Sequence, residues 1–424
     1  MAATRYRWFV IFLLFTITVV NYIDRAAISY AITDIEQTFG LSKGASGAIL
    51  GAFGVGYAVT TLIGGFAVDR YGARLILTIA AVLWSISIGA TALAGGFLSL
   101  MFARVLLGVS EGPNFPALTG AVKHWLAPHE RVAAFGYALV AVPIALAIGG
   151  PIVTHLLAWF EWRATFAILF LASVVWVPLW WIFFRNDPSQ SRFVNEAELA
   201  HIRTPDAAPA KPTLSKREGL GKALITNPTL LANYWAFFVF GYFLFFFMTW
   251  LPSYLKIEGG GVYGLNLEDV GLFTVAPWLC AAVSLWAMSH WSDYLLKKTG
   301  RLRVARSYLI AGSQLIAALA VIPVAFTHDL WMGIFWISIA VAASMGPNAA
   351  FYAVNVDVAP QRAASALGIM DFAFAISGFL APTLTGWVLD IRGSFTDAFL
   401  LMAGLSLSSV VVVLLFHHPD RHRT

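Results

Sequence analysis

The chain has 424 residues, 59% of them hydrophobic and only 12% charged, and its mean hydropathy is +0.76. Soluble domains carry about 25% charged residues, so the composition excludes one and defines an integral membrane protein. The net charge of +5 raises nucleic acid as a partner. The basic residues, however, sit in short loops between apolar runs, a distribution that orients a membrane protein and does not build a phosphate-binding surface. The single cysteine, Cys280, lies inside an apolar run, which leaves no disulfide or metal–thiolate framework.

A spanning helix needs about 20 mostly apolar residues. Twelve runs meet that length, roughly 8–32, 44–67, 74–94, 98–122, 131–157, 163–184, 229–255, 267–291, 306–326, 330–354, 362–389 and 395–416. The first is not read as a cleaved leader, because Asp24 and Arg25 interrupt it. Between the sixth and seventh lies the one long polar segment, which carries Pro188, Pro205, Pro209 and Pro212 and charges of both signs; it reads as a partly helical linker. The expected fold class is all-α, a polytopic membrane protein with twelve transmembrane helices in two pseudo-symmetric six-helix bundles, residues 1–185 and 228–424, joined by a cytoplasmic linker over 186–227. Of the 27 lysines and arginines, 21 fall on the side of the termini and even-numbered loops. Four (Lys43, Arg163, Lys256 and Arg392) fall on the other side, and Arg25 and Arg104 are intramembrane. That asymmetry places both termini and the linker in the cytoplasm.

The first span contains Asn21-Tyr22-Ile23-Asp24-Arg25. A carboxylate and a guanidinium at membrane depth normally face a protein interior or a water-filled path. They read either as a mutually neutralising structural pair or as a substrate or proton site. Two more buried charges in the same half favour the second. In the second span Tyr57 is mid-membrane, and a pocket position for its hydroxyl is expected. After that span comes Gly65-Phe66-Ala67-Val68-Asp69-Arg70-Tyr71-Gly72-Ala73-Arg74. After the eighth comes Ser292-Asp293, then Lys297, Lys298, Gly300, Arg301 and Arg303. Each is a helix end with an acid followed by a tight basic turn at the same ordinal place in its half, a repeat of the kind secondary transporters show. Gly65 is expected to permit close helix approach, Asp69 to pair across an interface, and Arg70 and Arg74 to hold the turn at the membrane surface.

The fourth span carries Arg104, Gly108, Glu111, Gly112 and Pro113. Arg104 and Glu111 share a helix face about 10 Å apart along the axis, too far to pair with each other. Asp24 for Arg104 and Arg25 for Glu111 are the candidate partners, and Glu111, near mid-span, is a candidate proton carrier. In the fifth span Gly149-Gly150-Pro151 is expected to bend or loosen the helix. In the seventh, Tyr234 and Trp250 read equally as interface-belt or pocket residues. The tenth holds Asn348, Tyr352 and Asn355, and the eleventh Asp371, the only carboxylate well inside the second half. Asp371 is either a packing hydrogen bond or a functional acid. The histidines, such as His124, His129 and His328, sit mainly at span ends and in loops. No nucleophile–base or metal-ligand spacing emerges, so an enzyme is not expected.

These stretches together resemble the major facilitator superfamily; the Gly65–Arg74 turn is similar to its signature between the second and third helices. Within it, Asn21 to Arg25, Arg104-Val105-Leu106-Leu107-Gly108-Val109-Ser110-Glu111-Gly112, Trp125-Leu126-Ala127-Pro128-His129-Glu130-Arg131 and Thr249-Trp250-Leu251-Pro252 resemble the anion:cation symporter family. Its members include bacterial aldonate, hexuronate and glucarate transporters, sialin and the vesicular glutamate transporters. The resemblance runs along nearly the whole chain. It implies proton-coupled symport of an organic carboxylate, a sugar acid first, by alternating access. The alternatives are import of an aromatic or short aliphatic carboxylate, or export of organic acids by proton antiport. It further implies that Asp24 and Glu111 couple the proton and that Arg25 contacts the substrate carboxylate. Tyr22, Tyr57, Tyr352, Asn348 and Asp371 would bind substrate, and Arg104, Asp69, Arg70, Arg74 and Asp293 would serve coupling and gating. The proton is the coupling ion, with no cofactor or metal expected. The expected partners are a small organic anion and the lipid bilayer, not nucleic acid, for a monomer in a bacterial inner membrane. Two departures stand out: sugar-acid relatives usually have Asn where this chain has Asp371, and Ala138 to Ala147 lacks the polar amide some polyhydroxylated-acid carriers present.

Overall fold

A computed structural model describes residues 3–127, 130–203, 224–256 and 262–422. Pro205, Pro209 and Pro212 of the expected linker, and Pro128 and His129 of the motif before the fifth span, lie outside the described residues. The first half supplies α1 (Tyr6–Phe39), α2 (Lys43–Tyr71), α3 (Ala73–Ala92), α4 (Phe97–Glu111), α5 (Asn114–Trp125), α6 (Arg131–Trp159) and α7 (Trp162–Phe183). After the short α8 (Glu196–Ile202), the second supplies α9 (Pro228–Leu255), α10 (Leu267–Phe273), α11 (Val275–Thr299), α12 (Tyr308–Val324), α13 (Leu330–Met345), α14 (Asn348–Val358), α15 (Ala363–Arg392) and α16 (Thr396–Phe416). Helices dominate because a chain in hydrocarbon must satisfy its backbone groups within each segment.

Among the described residues, eleven helical stretches are long and apolar enough to cross a membrane. The fourth expected span is the exception. It breaks into α4 and α5 at Gly112-Pro113, because proline removes an N–H and its ring crowds the preceding turn. The tenth span interrupts in the same way, between α13 and α14 at Gly346-Pro347. Gly149-Gly150-Pro151, expected to bend a helix, does not break it: α6 is continuous. The two glycines allow close contact with neighbouring helices. A Cβ on Gly149 would press on Ile23, and one on Gly150 would meet Tyr30, Thr274 and the Gly271 carbonyl.

The two sets of helices close on each other at the end of the molecule away from the termini. Along α2, Gly47, Gly51 and Gly54 lie against backbone of α15 around Pro382, Phe379 and Gly378, so any side chain there would overlap the neighbouring helix. Ser42 Oγ and Gly44 N donate to Asp390 at 2.9 and 2.7 Å. Lys256 Nζ donates to the Tyr30 carbonyl at 3.3 Å, and the Tyr30 hydroxyl bonds Thr274 at 3.2 Å. Towards the termini the same helices lose this intimacy: a Cβ on Gly368 would meet only the Leu62 side chain, at 3.7 Å.

The last turns of α2 correct two expectations. Gly65 faces open space, with nothing within 4 Å of an added Cβ, whereas Gly64 packs on Pro113. One residue turns the helix by about 100°, enough to exchange the packed face for the outer one. Asp69 is exposed and, among the described residues, forms no ion pair. Its counterpart Asp293 does, lying 3.6 Å from Arg306, which also reaches Asp357 at 3.5 Å. Nearby, α8 is moored to the start of α1: Glu198 accepts from the Tyr6 and Arg7 amides at 3.2 and 3.0 Å, and Arg7 also pairs with Glu130 at 3.0 Å.

Candidate functional site

One turn of α1 places Asn21 and Arg25 on one face and Asp24 on another. Arg25 Nε and Nη2 both donate to Glu111 Oε2, at 3.0 and 2.7 Å, and Nη2 also donates to Asn21 Oδ1 at 3.3 Å. The guanidinium lies 4.4 Å from the Tyr22 ring centre, 4.3 Å from Phe53 and 5.2 Å from Tyr57. Arg25 is 1% exposed and Glu111 fully buried. Arg25 Nη1 and Glu111 Oε1 have no hydrogen-bond partner among the described residues. The pair therefore keeps one donor edge and one acceptor oxygen in reserve.

The other proposed pairing does not form. Arg104 donates instead to the carbonyls of Arg25 and Leu50, both at 3.4 Å, with its plane 5.5 Å from Phe53. The seven-residue offset on α4 delivers it to the backbone of α1 and α2, not to an acid. Asp24 turns towards α7 and accepts from Ser173 Oγ at 2.5 Å. The close approach of α4 to α2 comes from Gly56 and Gly108: a Cβ on either would collide with backbone of the other helix. That contact fixes the height of Glu111 beside Arg25.

A cavity lies between the halves, one layer from Arg25. Tyr22 and Tyr57 line it from one side; Asn348, Tyr352 and Asp371 line it from the other. Phe237, Phe240 and Phe374 complete the second-half wall, while Leu139 and Val142 of α6 make an apolar wall opposite. Tyr352 and Asp371 line the same wall of the cavity, and the Tyr352 ring stands edge-on to Phe237 at 5.7 Å. The volume is ≈ 30 Å³. That is room for a water molecule rather than a six-carbon acid, so the walls must part for a larger molecule to enter. Arg70 and Arg74, which flank the turn between α2 and α3, do not line this cavity; Arg74 stacks 4.0 Å over Trp181 and donates to its carbonyl at 2.6 Å. Of the two ambiguous aromatics, Tyr234 and Trp250, both are buried and neither lines the cavity.

Several features escaped the sequence reading. Gly112-Pro113-Asn114 and Gly346-Pro347-Asn348 are the same tripeptide at the same ordinal place in each half, and comparing the fourth and tenth spans directly would have shown it. Asn348 enters the cavity from this break. Asn114, 1% exposed, has no hydrogen-bond partner for either side-chain atom among the described residues. The lining phenylalanines carried no signal, since 33 phenylalanines are spread along the chain.

A polytopic helical bundle with buried charges in its first half, one layer from a cavity between two halves, has the arrangement of a membrane transporter. The sequence profile of the Major Facilitator Superfamily matches residues 14–352, and the chain belongs to that superfamily. Similar proteins include the hexuronate transporter of Bacillus subtilis (strain 168), 33% identical over 413 residues, covering 97% of this chain and 94% of the relative. A probable sulfoacetate transporter of Cupriavidus necator is 30% identical, covering 94% and 91%. A probable galactarate/D-glucarate transporter of Bacillus subtilis is 29% identical, covering 98% and 93%. The crystal structure of a bacterial homologue of the human lysosomal transporter Spinster, described as inward-facing and unoccupied, shares the fold with a TM-score of 0.74 at 18% identity, covering 98% of this chain and 96% of that one.

Proposed function

We propose that this transporter is a proton-coupled symporter of an organic carboxylate, with a hexuronate or related sugar acid as first candidate, working by alternating access. The observation that carries the reading is the Arg25–Glu111 pair with its unpartnered Nη1 and Oε1. A buried guanidinium with a second donor edge suits a carboxylate. A proton on Glu111 would loosen its hold on Arg25 as the substrate anion takes over. Proton and anion would then favour the same state, which is the thermodynamic requirement for symport. The relatives named for hexuronate, glucarate and sulfoacetate support an anionic cargo.

In this reading the bundles 1–185 and 228–424 rock about the cavity, joined by 186–227, with Asp24 as a second proton group and Arg104 tying α4 to α1 and α2. Asp69, Arg70, Arg74 and Asp293 act in gating at the cytoplasmic turns. The excess of basic residues on the side of the termini supports an inner-membrane orientation with both termini cytoplasmic. The closed end is then external, and the chain works as a monomer. The Leu139–Val142 wall favours a second cargo class, an aromatic or short aliphatic acid, because it offers no hydroxyl partners. Uptake into proteoliposomes decides. An inward proton gradient should drive accumulation of D-glucuronate, and a protonophore should abolish it. Accumulation of benzoate or sulfoacetate alone would select the second class, and accumulation driven only by an outward gradient would select antiport.

A further inference from the structure

The cavity holds a charge of the wrong sign for an anion. Among the residues that line it, Asp371 is the only one with an ionisable carboxyl, and no lysine, arginine or histidine lines it at all. Among the described residues no cation forms an ion pair with Asp371. The groups facing it are hydroxyls and rings: Tyr22 from α1, Tyr57 from α2, Tyr352 from α14, and from α9 the phenyl rings of Phe237 and Phe240. On its own helix, Phe374 stacks on Phe240 at 5.9 Å and closes the next turn. The nearest guanidinium, Arg25, is held by Glu111 behind Tyr22 and Tyr57. A carboxylate brought into this space would meet a second carboxylate across a low-dielectric gap with no cation between them, a repulsion large enough to weaken binding by about tenfold to a hundredfold.

We infer that Asp371 is a proton-accepting group of the substrate cavity: an organic anion binds there only with a proton on the Asp371 carboxyl, and that proton travels with it. The inference rests on the organic-anion reading of the cavity. The step is a plain protonation. The proton enters from the side to which the cavity is open, sits on a carboxyl oxygen while substrate is bound, and leaves on the other side with the substrate. Tyr352 positions this group, its hydroxyl accepting from the protonated acid or donating to the ionised one. The second half thereby gains a proton site independent of Glu111. A residue with an amide at this position would bind the same anion with one proton fewer.

The full-length protein in nanodiscs is titrated calorimetrically with D-glucuronate, sulfoacetate and benzoate in buffers of different ionisation enthalpy, which counts protons taken up per anion bound. Wild-type protein should bind at least one of the three, and more weakly at about pH 8 than at about pH 6. Asp371→Asn should bind the same anion at about pH 8 at least tenfold more tightly than wild type and take up about one proton fewer. Glu111→Gln should still take up a proton on binding, through Asp371, and Tyr352→Phe should move the pH midpoint without changing the proton count. An unchanged proton count in Asp371→Asn overturns the role of Asp371 and leaves the organic-anion reading standing. Loss in that variant of a preference for the amino acid D-glucosaminate over D-glucuronate would also overturn it, making Asp371 a counter-ion for a cationic group. Failure of wild-type protein to bind any of the three acids overturns the organic-anion reading itself.

Discussion

Arg25→Lys tests the central pair while keeping its charge. The guanidinium uses two nitrogens on one oxygen of Glu111, at 3.0 and 2.7 Å, and a third contact reaches Asn21 at 3.3 Å. Nη1 remains for another acceptor. An ammonium cannot present two edges at once. If it stays with Glu111 it has none for the substrate, and if it turns to the substrate it abandons Glu111. The change also removes the planar contact with Tyr22 and Phe53, at 4.4 and 4.3 Å. One charge-assisted hydrogen bond contributes about 1.5–3 kcal/mol, and the lost ring contacts add about 0.5–1 kcal/mol. The expected weakening of anion binding is therefore about 2–4 kcal/mol, or about 30-fold to 1,000-fold. Calorimetric titration with D-glucuronate at about pH 6 measures it, and a thermal melt of the same sample separates loss of site from loss of fold. Binding within about threefold of wild type, in a protein with an unchanged melt, would refute the claim that both edges of the guanidinium are used.

Other parts of the molecule can be tested separately. Gly54→Val should disfavour the closed end by about 1–3 kcal/mol, because its side chain would enter the backbone of α15 around Gly378 and Ala375; with Cys280→Ser as background, faster maleimide labelling of Ser46→Cys from that side is the expected readout, and an unchanged rate would show that the contact does not set the equilibrium. Asp24→Asn should preserve anion binding while flattening the pH dependence of proteoliposome uptake, and an unaltered pH profile would remove Asp24 from the coupling scheme. At the linker, burial raises the pKa of Glu130, but hydrogen bonds from Arg7 and then His201 outweigh it and hold the group below its usual 4.5. A depressed carboxylate stabilises the fold above the unfolded pKa, and that stability is lost as pH falls through the folded value. Limited proteolysis should therefore cut after α8 faster at about pH 4 than at about pH 7, and more so in Glu130→Gln at neutral pH; equal cleavage would mean that α8 is held by Glu198 alone.

The helical membrane architecture was legible because hydropathy reports directly on the bilayer: long apolar runs must be helices. Individual partners were less legible. The sequence offered Asp24 for Arg104 and Glu111 for Arg25, and only the rotation of α1 relative to α4 decides that the second pair forms while Arg104 takes carbonyls. Gly65 and Gly64 differ by one step round a helix, and periodicity alone could not assign the packed one. Asp69 and Asp293 occupy matching places in their halves, yet among the described residues only the second meets an arginine, Arg306. The aromatic cavity wall was hidden by abundance, being a few phenylalanines among many.

The repeat of Gly-Pro-Asn exposes an asymmetry with consequences for how the halves divide their work. The residue before it is Glu111 in the first half and Met345 in the second. The first half thus concentrates Asp24, Arg25, Arg104 and Glu111 in buried positions, while the second contributes Asp371 as its carboxyl at the cavity. In the proposed reading an anion anchored through Arg25 is held by one half, and the other engages it through Tyr352, Asn348, the protonated Asp371 and the aromatic wall. Closure in that reading draws its selectivity among acids from the second half, since the contact with Arg25 is common to every acid. Substitutions at Asn348 or Tyr352 should change which acid is carried while leaving the proton requirement at Glu111 in place. Substitutions at Arg25 or Glu111 should change coupling for every acid alike. Uptake competition among D-glucuronate, sulfoacetate and benzoate in Asn348→Ala and Glu111→Gln distinguishes the two patterns. A selectivity change in Glu111→Gln equal to that in Asn348→Ala would show that specificity is not divided between the halves in this way.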